Sequence, residues 1–492
     1  MLQKARAGGA RFPAEVMTGT EGAASSAIIR VEVARDIPAC AYAGSAWRYV
    51  EGVIHGEVSS AEPVTGLEAL AAERASVPYA INFRLIAPEN VSEADAVVVE
   101  APNRGSPVVA RALAAPGAAA ASPEAAAIGD AFLLRHGIAL AALQWQAGLP
   151  GGPPESAQGI GEVAMRDFGR WLGGAFRTGP ERAPVFRRRI LAGASQSAWF
   201  VNTFVAEGFN ADPESGRGVY QGAFTRNGNG VVLAINGFAP DGTQFPYARN
   251  DLAPLAPTRL LARPASDPRL IDVASLNDFY RLRASVFAEA PAPPGLHRYA
   301  TAAPHARGGV RPAEEVFETM RCNGGAPIAL SNVSDALYLR PLLLGLLAEI
   351  GAGAGAKRGL PPEAPFALVS APCDLEGINR LGATALAIPQ FGADGAPLGG
   401  IPMLETTLPL GVPEPPALSP IVIASIGETC GNFSGWRAFS AEELARRYGS
   451  RARYLTLAGE KAGELVRAGY LLAEDEAAAI HVLEAQLPAA FL

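Results

Sequence analysis

The chain has 492 residues, of which 49% are hydrophobic and 18% are charged, so it can bury a large core without disulfides or structural metal ions. Its formal net charge of −7 argues against a nucleic-acid-binding protein, which typically has a basic surface, and against electrostatic attachment to anionic lipid. The cysteines are isolated and form no CxxC pair, which argues against zinc and thioredoxin-type sites.

Residues 1–25 are polar and rich in Gly and Ala, which predicts a loose N-terminal segment. The segment lacks the apolar stretch of a signal peptide, and no charge-free apolar run in the chain reaches the roughly 18 residues of a membrane span. We therefore expect a cytoplasmic protein that does not bind a membrane, an expectation that a removed leader peptide would change.

The next three segments alternate between apolar and polar residues, as half-buried strands do. They are Ile28–Val33, Trp47–Ile54 and Ile81–Ile86. Together they predict an antiparallel edge of a sheet. Ala96–Glu100 is instead a short continuous apolar run, which is typical of a parallel strand buried on both faces. A helix is predicted over residues 123–136.

Strands and helices alternate through the middle of the chain. Further strands are predicted at Gly137–Leu143, Arg189–Ala192, Leu270–Ala274 and His297–Ala300. The helix that follows the second of these runs to about Glu207, and Gly208 suits its C-terminal cap. This alternation predicts an α/β fold with a mostly parallel sheet covered by helices on both faces.

Three stretches fall outside this alternation. Residues 210–265 are rich in Gly, Asn, Pro and aromatic residues and could cover a site as a lid, while 352–420 is rich in Pro and Gly, with 360–366 resembling a linker. Later, Ser440–Glu443 forms a capping box that begins a helix, and two more helices are predicted at 451–468 and 474–487. We expect a core domain over 26–350 and a C-terminal extension over 351–492 that packs on it.

A candidate nucleophile lies in Gly193-Ala-Ser-Gln-Ser197, between a predicted strand and a helix. A G-x-S-x-G turn in that context is a nucleophile elbow, in which small neighbours allow the tight turn that exposes the serine oxygen. Ser195 is the candidate, although Ser197 replaces the last glycine. The same residues also fit a plain turn with a serine helix cap.

The serine needs a histidine base that is oriented by an acid, and in this fold the chain order is Ser, acid, His. Among the histidines after Ser195, we favour His305, in a loop after a strand, over His297 within that strand and His481 in a charged helix. For the acid, Asp278 lies just beyond the preceding strand, whereas Asp272 lies within it, where a buried carboxylate without a partner is costly. His55 and His136 precede the serine and are disfavoured.

The oxyanion hole needs backbone N–H donors, which we expect from Gln196 and from Arg104 and Gly105 in the loop after Ala96–Glu100. An ordinary β-turn is the alternative interpretation of that loop. Asn103, Trp145 and Trp199 are expected to contact the substrate. A narrow pocket lined by the two indoles would favour a compact or aromatic acyl group, and a polar one a sugar or hydroxy-acid ester.

Together these residues resemble a bacterial family known as α/β-hydrolase domain proteins, which carries a G-Y-S-Q-S-G-R elbow, an N-R-G loop and a G-W-Q segment. The corresponding segments here are Gly193–Trp199, Asn103–Gly105 and Leu143–Gln146. Similar segments continue downstream at Glu207–Asn210, Gly216–Gly222, Leu276–Tyr280, Pro304–Ala306, Tyr338–Leu343, Leu398–Pro402, Arg447–Gly449 and Ala468–Leu472. The resemblance implies an α/β-hydrolase fold with covering insertions and a helical C-terminal extension that belongs to the family pattern.

Three departures from the family pattern suggest a specialised substrate. Ala198-Trp199 replaces Gly-Arg behind the elbow, Asp278 replaces Glu, and the sequence diverges around Cys430. The residues and the resemblance together predict a serine hydrolase that cleaves a small-molecule carboxylic ester through an acyl-enzyme, with no metal or organic cofactor. The alternatives are an acyltransferase, lactonase or amidase with the same triad, or a catalytically silent binding protein. The oligomeric state is not predicted.

Overall fold

The computed structural model describes residues 26–42, 45–64, 67, 70, 74–90, 94–117, 127–154, 159–176, 185–238, 244–245, 254–305, 316–317, 328–329, 331, 333–351, 359–372, 385–415 and 433–492. The predicted loose segment at 1–25 lies outside these residues, as do Cys430 and most of 239–253.

The elements are numbered in chain order. The strands are β1 (Ala27–Tyr42), β2 (Ser45–Ser59), β3 (Ser76–Pro88), β4 (Ala96–Glu100), β5 (Ile138–Leu143), β6 (Arg188–Ala194), β7 (Gly222–Arg226), β8 (Ala234–Phe238), β9 (Gln244–Phe245), β10 (Arg269–Ser275), β11 (Leu296–Thr301), β12 (Val316–Phe317), β13 (Ile328–Ala329), β14 (Leu368–Pro372), β15 (Ala385–Pro389), β16 (Gly411–Glu414) and β17 (Gly435–Ala438). The helices are α1 (Val109–Leu113), α2 (Phe132–Arg135), α3 (Ile160–Leu172), α4 (Gln196–Ala206), α5 (Pro257–Leu260), α6 (Asp278–Arg281), α7 (Ala284–Glu289), α8 (Ala336–Gly351), α9 (Leu404–Thr407), α10 (Ala441–Tyr448), α11 (Arg451–Ala468) and α12 (Glu476–Gln486).

The central sheet has the order β1-β2-β3-β5-β4-β6-β7-β10-β11. The predicted antiparallel edge is confirmed, because β1 pairs with β2 and β2 with β3 in antiparallel register, and β3 joins β5 in the same way. From β5 to β11 all neighbouring strands run parallel. Every residue of β4 and β5 is buried, as expected for strands covered on both faces.

Helices cover the sheet on both faces. Side chains of α3 and α4 pack in one apolar cluster with β2, β3 and alternate residues of β4. The opposite face packs against α1, α2 and α8, and this second cluster continues into α11 and α12. Among the helices that the structure describes, none is both long enough and apolar enough to cross a bilayer.

The helix predicted over 123–136 is interrupted in the described part of that stretch. Ala127 and Ile128 are helical, and Phe132–Arg135 forms a separate short helix. Gly129 and Ala131 both have left-handed backbone angles, with φ of 64° and 62°, which interrupt a right-handed helix. Between them, Asp130 accepts the backbone N–H of Phe132 at 3.2 Å and begins the shorter helix.

Two of the irregular stretches contribute to the sheet or its edge. Gly222–Arg226 lies inside the segment predicted to cover the site, but it forms strand β7 of the central sheet. A lid in this segment would therefore not include these residues. Residues 360–366 are not a linker: Ala364 bridges to Tyr299 of the edge strand β11, and its carbonyl accepts the N–H of Ala300 at 3.0 Å. The rest of the lid prediction stays a prediction.

The C-terminal helices follow the sequence pattern closely. Ser440 and Glu443 form the predicted capping box, and α11 spans the predicted residues 451–468. Buried Arg340 of α8 donates to the Leu113 carbonyl at 2.8 Å and pairs with Asp475 just before α12. A buried guanidinium with these partners ties the C-terminal residues to the sheet-covering helices. The domain boundary near 350 stays a prediction.

Candidate active site

The turn between β6 and α4 holds Ser195 in a strained backbone conformation. Its φ of 57° and ψ of −127° lie in a region that favours glycine, and such strain at the end of a strand is typical of a nucleophile elbow. Gly193 is required because a Cβ on it would lie 2.4 Å from the Ser197 carbonyl oxygen. Ser197 stands where the motif has its last glycine. Its hydroxyl donates to the Ala194 carbonyl at 3.0 Å and accepts the Ala194 N–H at 2.9 Å, which stabilises the turn.

His305 lies in the loop after β11, as the sequence predicts. Its Nε2 is 2.9 Å from the Ser195 Oγ, and the residue is only 4% exposed. Its backbone is held by Arg226 at the end of β7, whose Nη1 donates to the His305 carbonyl at 2.8 Å and whose Nη2 donates to that of Pro304 at 3.0 Å. Hydrogen bonds therefore hold both the ring and the main chain of His305 in place.

Asp278 begins the short helix α6 just after β10, and its Oδ1 lies 2.7 Å from His305 Nδ1. Its Oδ2 accepts three further hydrogen bonds, from the side-chain amides of Asn227 and Asn229 at 2.8 and 2.9 Å and from the Ser275 N–H at 2.8 Å. The structure thus brings Ser195, His305 and Asp278 together in one continuous chain of contacts at the carboxyl edge of the sheet.

The ionisation of the acid and the histidine follows from these contacts. Burial alone would raise the pKa of Asp278, but the His305 imidazole and the two asparagine amides outweigh it and hold the pKa at about 2. Burial lowers the pKa of His305, an effect that Asp278 opposes and that the charges of Arg281 and Arg226 reinforce. A neutral imidazole beside an ionised carboxylate is the state that a general base requires.

Asp272, the alternative acid, has different partners. Its Oδ1 accepts the Thr225 hydroxyl at 2.7 Å and the backbone N–H of Asn229 at 3.0 Å. Burial raises its pKa to about 7. These hydrogen bonds offset the cost of burying the Asp272 carboxylate and hold the loop after β7 in place. Asp278, in contrast, contacts the histidine.

The other histidines lie elsewhere. His297 Nε2 contacts Glu349 at 2.9 Å on the outer face of β11, His136 contacts Glu474 at 3.0 Å, His55 contacts Glu32 at 3.3 Å, and His481 is exposed on α12. Each of these rings has a surface position, in agreement with the preference for His305.

The predicted oxyanion loop after β4 is a tight turn. Arg104 and Gly105 have φ of 51° and 80°, and Asn103 and Ser106 exchange backbone hydrogen bonds of 2.9 and 3.0 Å across them. Side chains join this turn to the elbow, because Asn103 Nδ2 donates to the Ala194 carbonyl at 3.2 Å and Arg104 Nε lies 3.3 Å from Gln196 Oε1. The loop is both a β-turn and a neighbour of the nucleophile, and its oxyanion role stays a prediction.

The two indoles contact the loops of the site, and their predicted contact with the substrate stays a prediction. Trp145 is 4% exposed, stacks on Phe200 at 4.1 Å between ring centroids, and donates to the Pro102 carbonyl at 2.8 Å. Trp199 is 2% exposed and donates to the Asn227 carbonyl at 2.9 Å. In the structure each ring supports a loop from within the core.

Arg226, Asn227 and Asn229 are the residues that sequence reasoning missed. They lie at the end of β7 and in the Asn-Gly-Asn-Gly turn that follows it, inside a stretch assigned to a lid. The two Asn-Gly pairs were a usable signal, because Asn and Gly adopt the left-handed angles of tight turns. A tight turn directly after a strand at the carboxyl edge of the sheet lies beside the nucleophile.

Comparison with known proteins places this site in a family. A family model described as an alpha/beta hydrolase domain matches residues 142–481. The chain belongs to this family. The matched span contains the elbow, Asp278 and His305, and the resemblance drawn from the motifs is confirmed at the level of an α/β-hydrolase fold, while Asn103–Gly105 lies outside the match.

Several solved structures are similar to this α/β hydrolase over part of its length. A dienelactone hydrolase from Anabaena variabilis ATCC 29413 is 15% identical over 46% of this chain and 82% of its own, with a TM-score of 0.26. A glucuronoyl esterase from Solibacter usitatus is 11% identical over 53% and 70%, with a TM-score of 0.29. The carboxylesterase Cest-2923 from Lactobacillus plantarum WCFS1 is 12% identical over 45% and 79%, with a TM-score of 0.26. A search of curated proteins found no match.

Proposed function

We propose that this α/β hydrolase is a serine esterase that cleaves a small-molecule carboxylic ester through an acyl-enzyme. Ser195 is the nucleophile, His305 the general base and acid, and Asp278 the residue that orients the imidazole. The observation that carries the proposal is the pair of contacts through one ring, 2.9 Å from Ser195 Oγ to Nε2 and 2.7 Å from Nδ1 to Asp278 Oδ1.

In the acylation step, Ser195 Oγ attacks the ester carbonyl carbon while Nε2 of neutral His305 takes the hydroxyl proton. The carbonyl π electrons move to the oxygen, which becomes an oxyanion. When the tetrahedral intermediate collapses, the C–O bond to the alcohol breaks and the imidazolium returns its proton to the leaving oxygen. Ionised Asp278 stabilises the imidazolium during this step, which agrees with its pKa of about 2.

In the deacylation step, a water molecule replaces the alcohol. His305 takes a proton from the water, whose oxygen attacks the acyl carbon, and then returns a proton to Ser195 as the acid leaves. The N–H groups of Gln196, Arg104 and Gly105 are the proposed donors to the oxyanion in both steps. The contacts of Asn103 and Arg104 with the elbow support this assignment, because they hold the two donor segments together.

A labelling experiment tests the proposal without knowledge of the natural substrate. A fluorophosphonate reacts only with an activated serine, so we expect labelling of the wild-type protein and none of Ser195→Ala. The matched control is Ser215→Ala, which removes an exposed hydroxyl in a turn away from the site. Absence of wild-type labelling would sink the serine mechanism and favour the silent binding protein. Equal labelling of the Ser195→Ala protein would show that Ser195 is not the reactive residue.

The bond type is tested with matched chromogenic substrates. Hydrolysis of p-nitrophenyl acetate is compared with that of the corresponding anilide, and with transfer to an added alcohol. We expect the ester to be hydrolysed fastest, because a phenolate is a much better leaving group than an anilide nitrogen. Faster release from the anilide, or dominant transfer to the alcohol, would replace the esterase by an amidase or an acyltransferase.

A further inference from the structure

The turn after β7 directs two side-chain amides at one oxygen of Asp278. Nδ2 of Asn227 and Nδ2 of Asn229 lie 2.8 and 2.9 Å from Oδ2. Asn227 and Asp278 are 0% exposed and Asn229 is 1% exposed, so solvent does not compete for this oxygen. With the Ser275 N–H as a third donor, Oδ2 is fully occupied and Oδ1 is left to face His305.

The contacts of Asn227 determine which way its amide points. Its Oδ1 accepts a hydrogen bond of 2.7 Å from Arg226 Nη1, and a guanidinium can only donate. The NH₂ end must therefore face Asp278. Because the same Arg226 nitrogen also holds the His305 carbonyl at 2.8 Å, one side chain at the end of β7 fixes both the base loop and the amide that contacts the acid.

The backbone of the turn is equally constrained. Asn227 and Asn229 have φ of 63° and 51°, left-handed angles that Asn tolerates better than most residues. Asp272 accepts the Asn229 N–H at 3.0 Å, and a Cβ on Gly228 would lie 2.5 Å from the same Asp272 oxygen. Trp199 completes the arrangement through its bond to the Asn227 carbonyl.

We propose that Asn227 and Asn229 are positioning residues that hold the carboxylate of Asp278 in the orientation that presents Oδ1 to His305. The inference rests on the proposed function, since it concerns the same acid. The amides also draw negative charge away from the side of the carboxylate that faces the imidazole. They thereby limit how strongly Asp278 raises the proton affinity of His305, which keeps the base neutral at lower pH.

The test replaces each asparagine by glycine, singly and together, as Asn227→Gly, Asn229→Gly and the double variant. Glycine accepts the left-handed angles, so the turn keeps its backbone while the donors are lost. The readout is the rate constant for fluorophosphonate labelling of Ser195 between pH 5 and 9, which needs no natural substrate. We expect each loss to slow labelling about 10- to 100-fold, the typical worth of a hydrogen bond to a charged group.

The pH profile separates positioning from a general structural effect. Fewer donors leave more negative charge on Asp278, which raises the pKa of His305, so the acid limb of the profile moves to higher pH. The matched control is Asn210→Ala, because Asn210 is also deeply buried but does not contact Asp278. Its amide donates to the carbonyl of Tyr220 at 2.9 Å and to that of Ser266 at 2.6 Å. That control is expected to lower Tm and leave the acid limb unchanged.

Each outcome decides the matter. Slower labelling with an upward shift of the acid limb, and no such shift in Asn210→Ala, supports the proposal. A double variant that labels within twofold of wild type overturns it, as does a slower double variant whose acid limb stays in place. A wild-type protein that is not labelled at all overturns the proposed function and this inference with it, whereas a labelled wild type with unaffected variants overturns this inference alone.

Discussion

Lengthening the acid by one methylene tests how closely the site is built around Asp278. Asp278→Glu would move the carboxylate by about 1.5 Å, the length of one C–C bond. The present carboxylate makes contacts of 2.7 to 2.9 Å on both oxygens and is 0% exposed, so the longer side chain has no solvent to extend into. A misplacement of about 1 Å can cost roughly 100-fold in rate, and we expect a loss of that order in kcat/KM.

Asp278→Asn removes the charge and keeps the shape. The pKa of about 2 for Asp278, against a usual value of 3.8, corresponds to about 2 kcal/mol in favour of the carboxylate in this environment. An amide in its place would donate to Nδ1 and favour the wrong imidazole tautomer, which costs about 10⁴ in kcat in the well-studied serine-protease triad. We therefore expect Asn to be the more damaging of the two replacements.

The assay is steady-state hydrolysis of p-nitrophenyl acetate by both variants, with Tm measured alongside. Asp394→Glu is the matched control, since it makes the same change at an exposed turn residue and should keep wild-type activity. An Asp278→Glu protein as active as wild type would refute the reasoning, because it would mean that the acid pocket adapts to the longer side chain. An Asp278→Asn protein within tenfold of wild type would remove Asp278 from the proposed triad.

Three further predictions follow from the same contacts. His305→Ala should lose several orders of magnitude in kcat while His297→Ala, which removes a ring on the outer face, should keep most activity; the reverse result in a side-by-side assay would move the base to His297. Asp272→Asn should retain activity within about tenfold, because an amide oxygen can still accept from Thr225 and Asn229, and a larger loss would show that the turn after β7 needs a carboxylate at position 272. Because burial lowers the pKa of His305, the acid limb of kcat/KM should lie below the usual value of about 6.5, and a limb above pH 7 contradicts that direction.

The positions of Ser195, Asp278 and His305 could be proposed from the sequence because each follows a strand with a clear pattern. Parallel strands bring their carboxyl ends to one edge of the sheet, so residues just after those strands meet there. The structure brings these three side chains together.

The strand β7 was missed because its sequence carries no strand pattern. Gly222-Ala-Phe-Thr-Arg226 is buried throughout, yet it begins with glycine and ends with an arginine, which sequence patterns associate with loops. The arginine is tolerated inside because it pairs with Asp335 at 2.8 Å and donates to the carbonyls of Pro304 and His305. Those partners come from distant parts of the chain, so tertiary contacts, which local patterns do not contain, decide this element.

Trp199 shows how a departure from a family motif can be interpreted from the structure. Its position behind the elbow suggested a bulky ring that shapes the substrate pocket. The indole is buried, and its N–H donates to the carbonyl of Asn227, one of the two asparagines that contact Asp278. Trp199 therefore contacts the turn after β7, and that turn contacts Asp278. The sequence does not show this connection, because residues 199 and 227 come together only in the fold.

The two aspartates, one in β10 and one at the start of α6, have different surroundings. A carboxylate in mid-strand is costly without partners, and that argument favoured Asp278. The structure supplies Asp272 with two neutral donors, and burial raises its pKa to about 7. Asp278 receives three donors and the histidine, and its pKa is about 2. Their surroundings thus give two identical side chains different pKa values: Asp272 supports the turn after β7, and Asp278 contacts His305. Asn229 links the two carboxylates, and it lies in a turn that no strand pattern could predict.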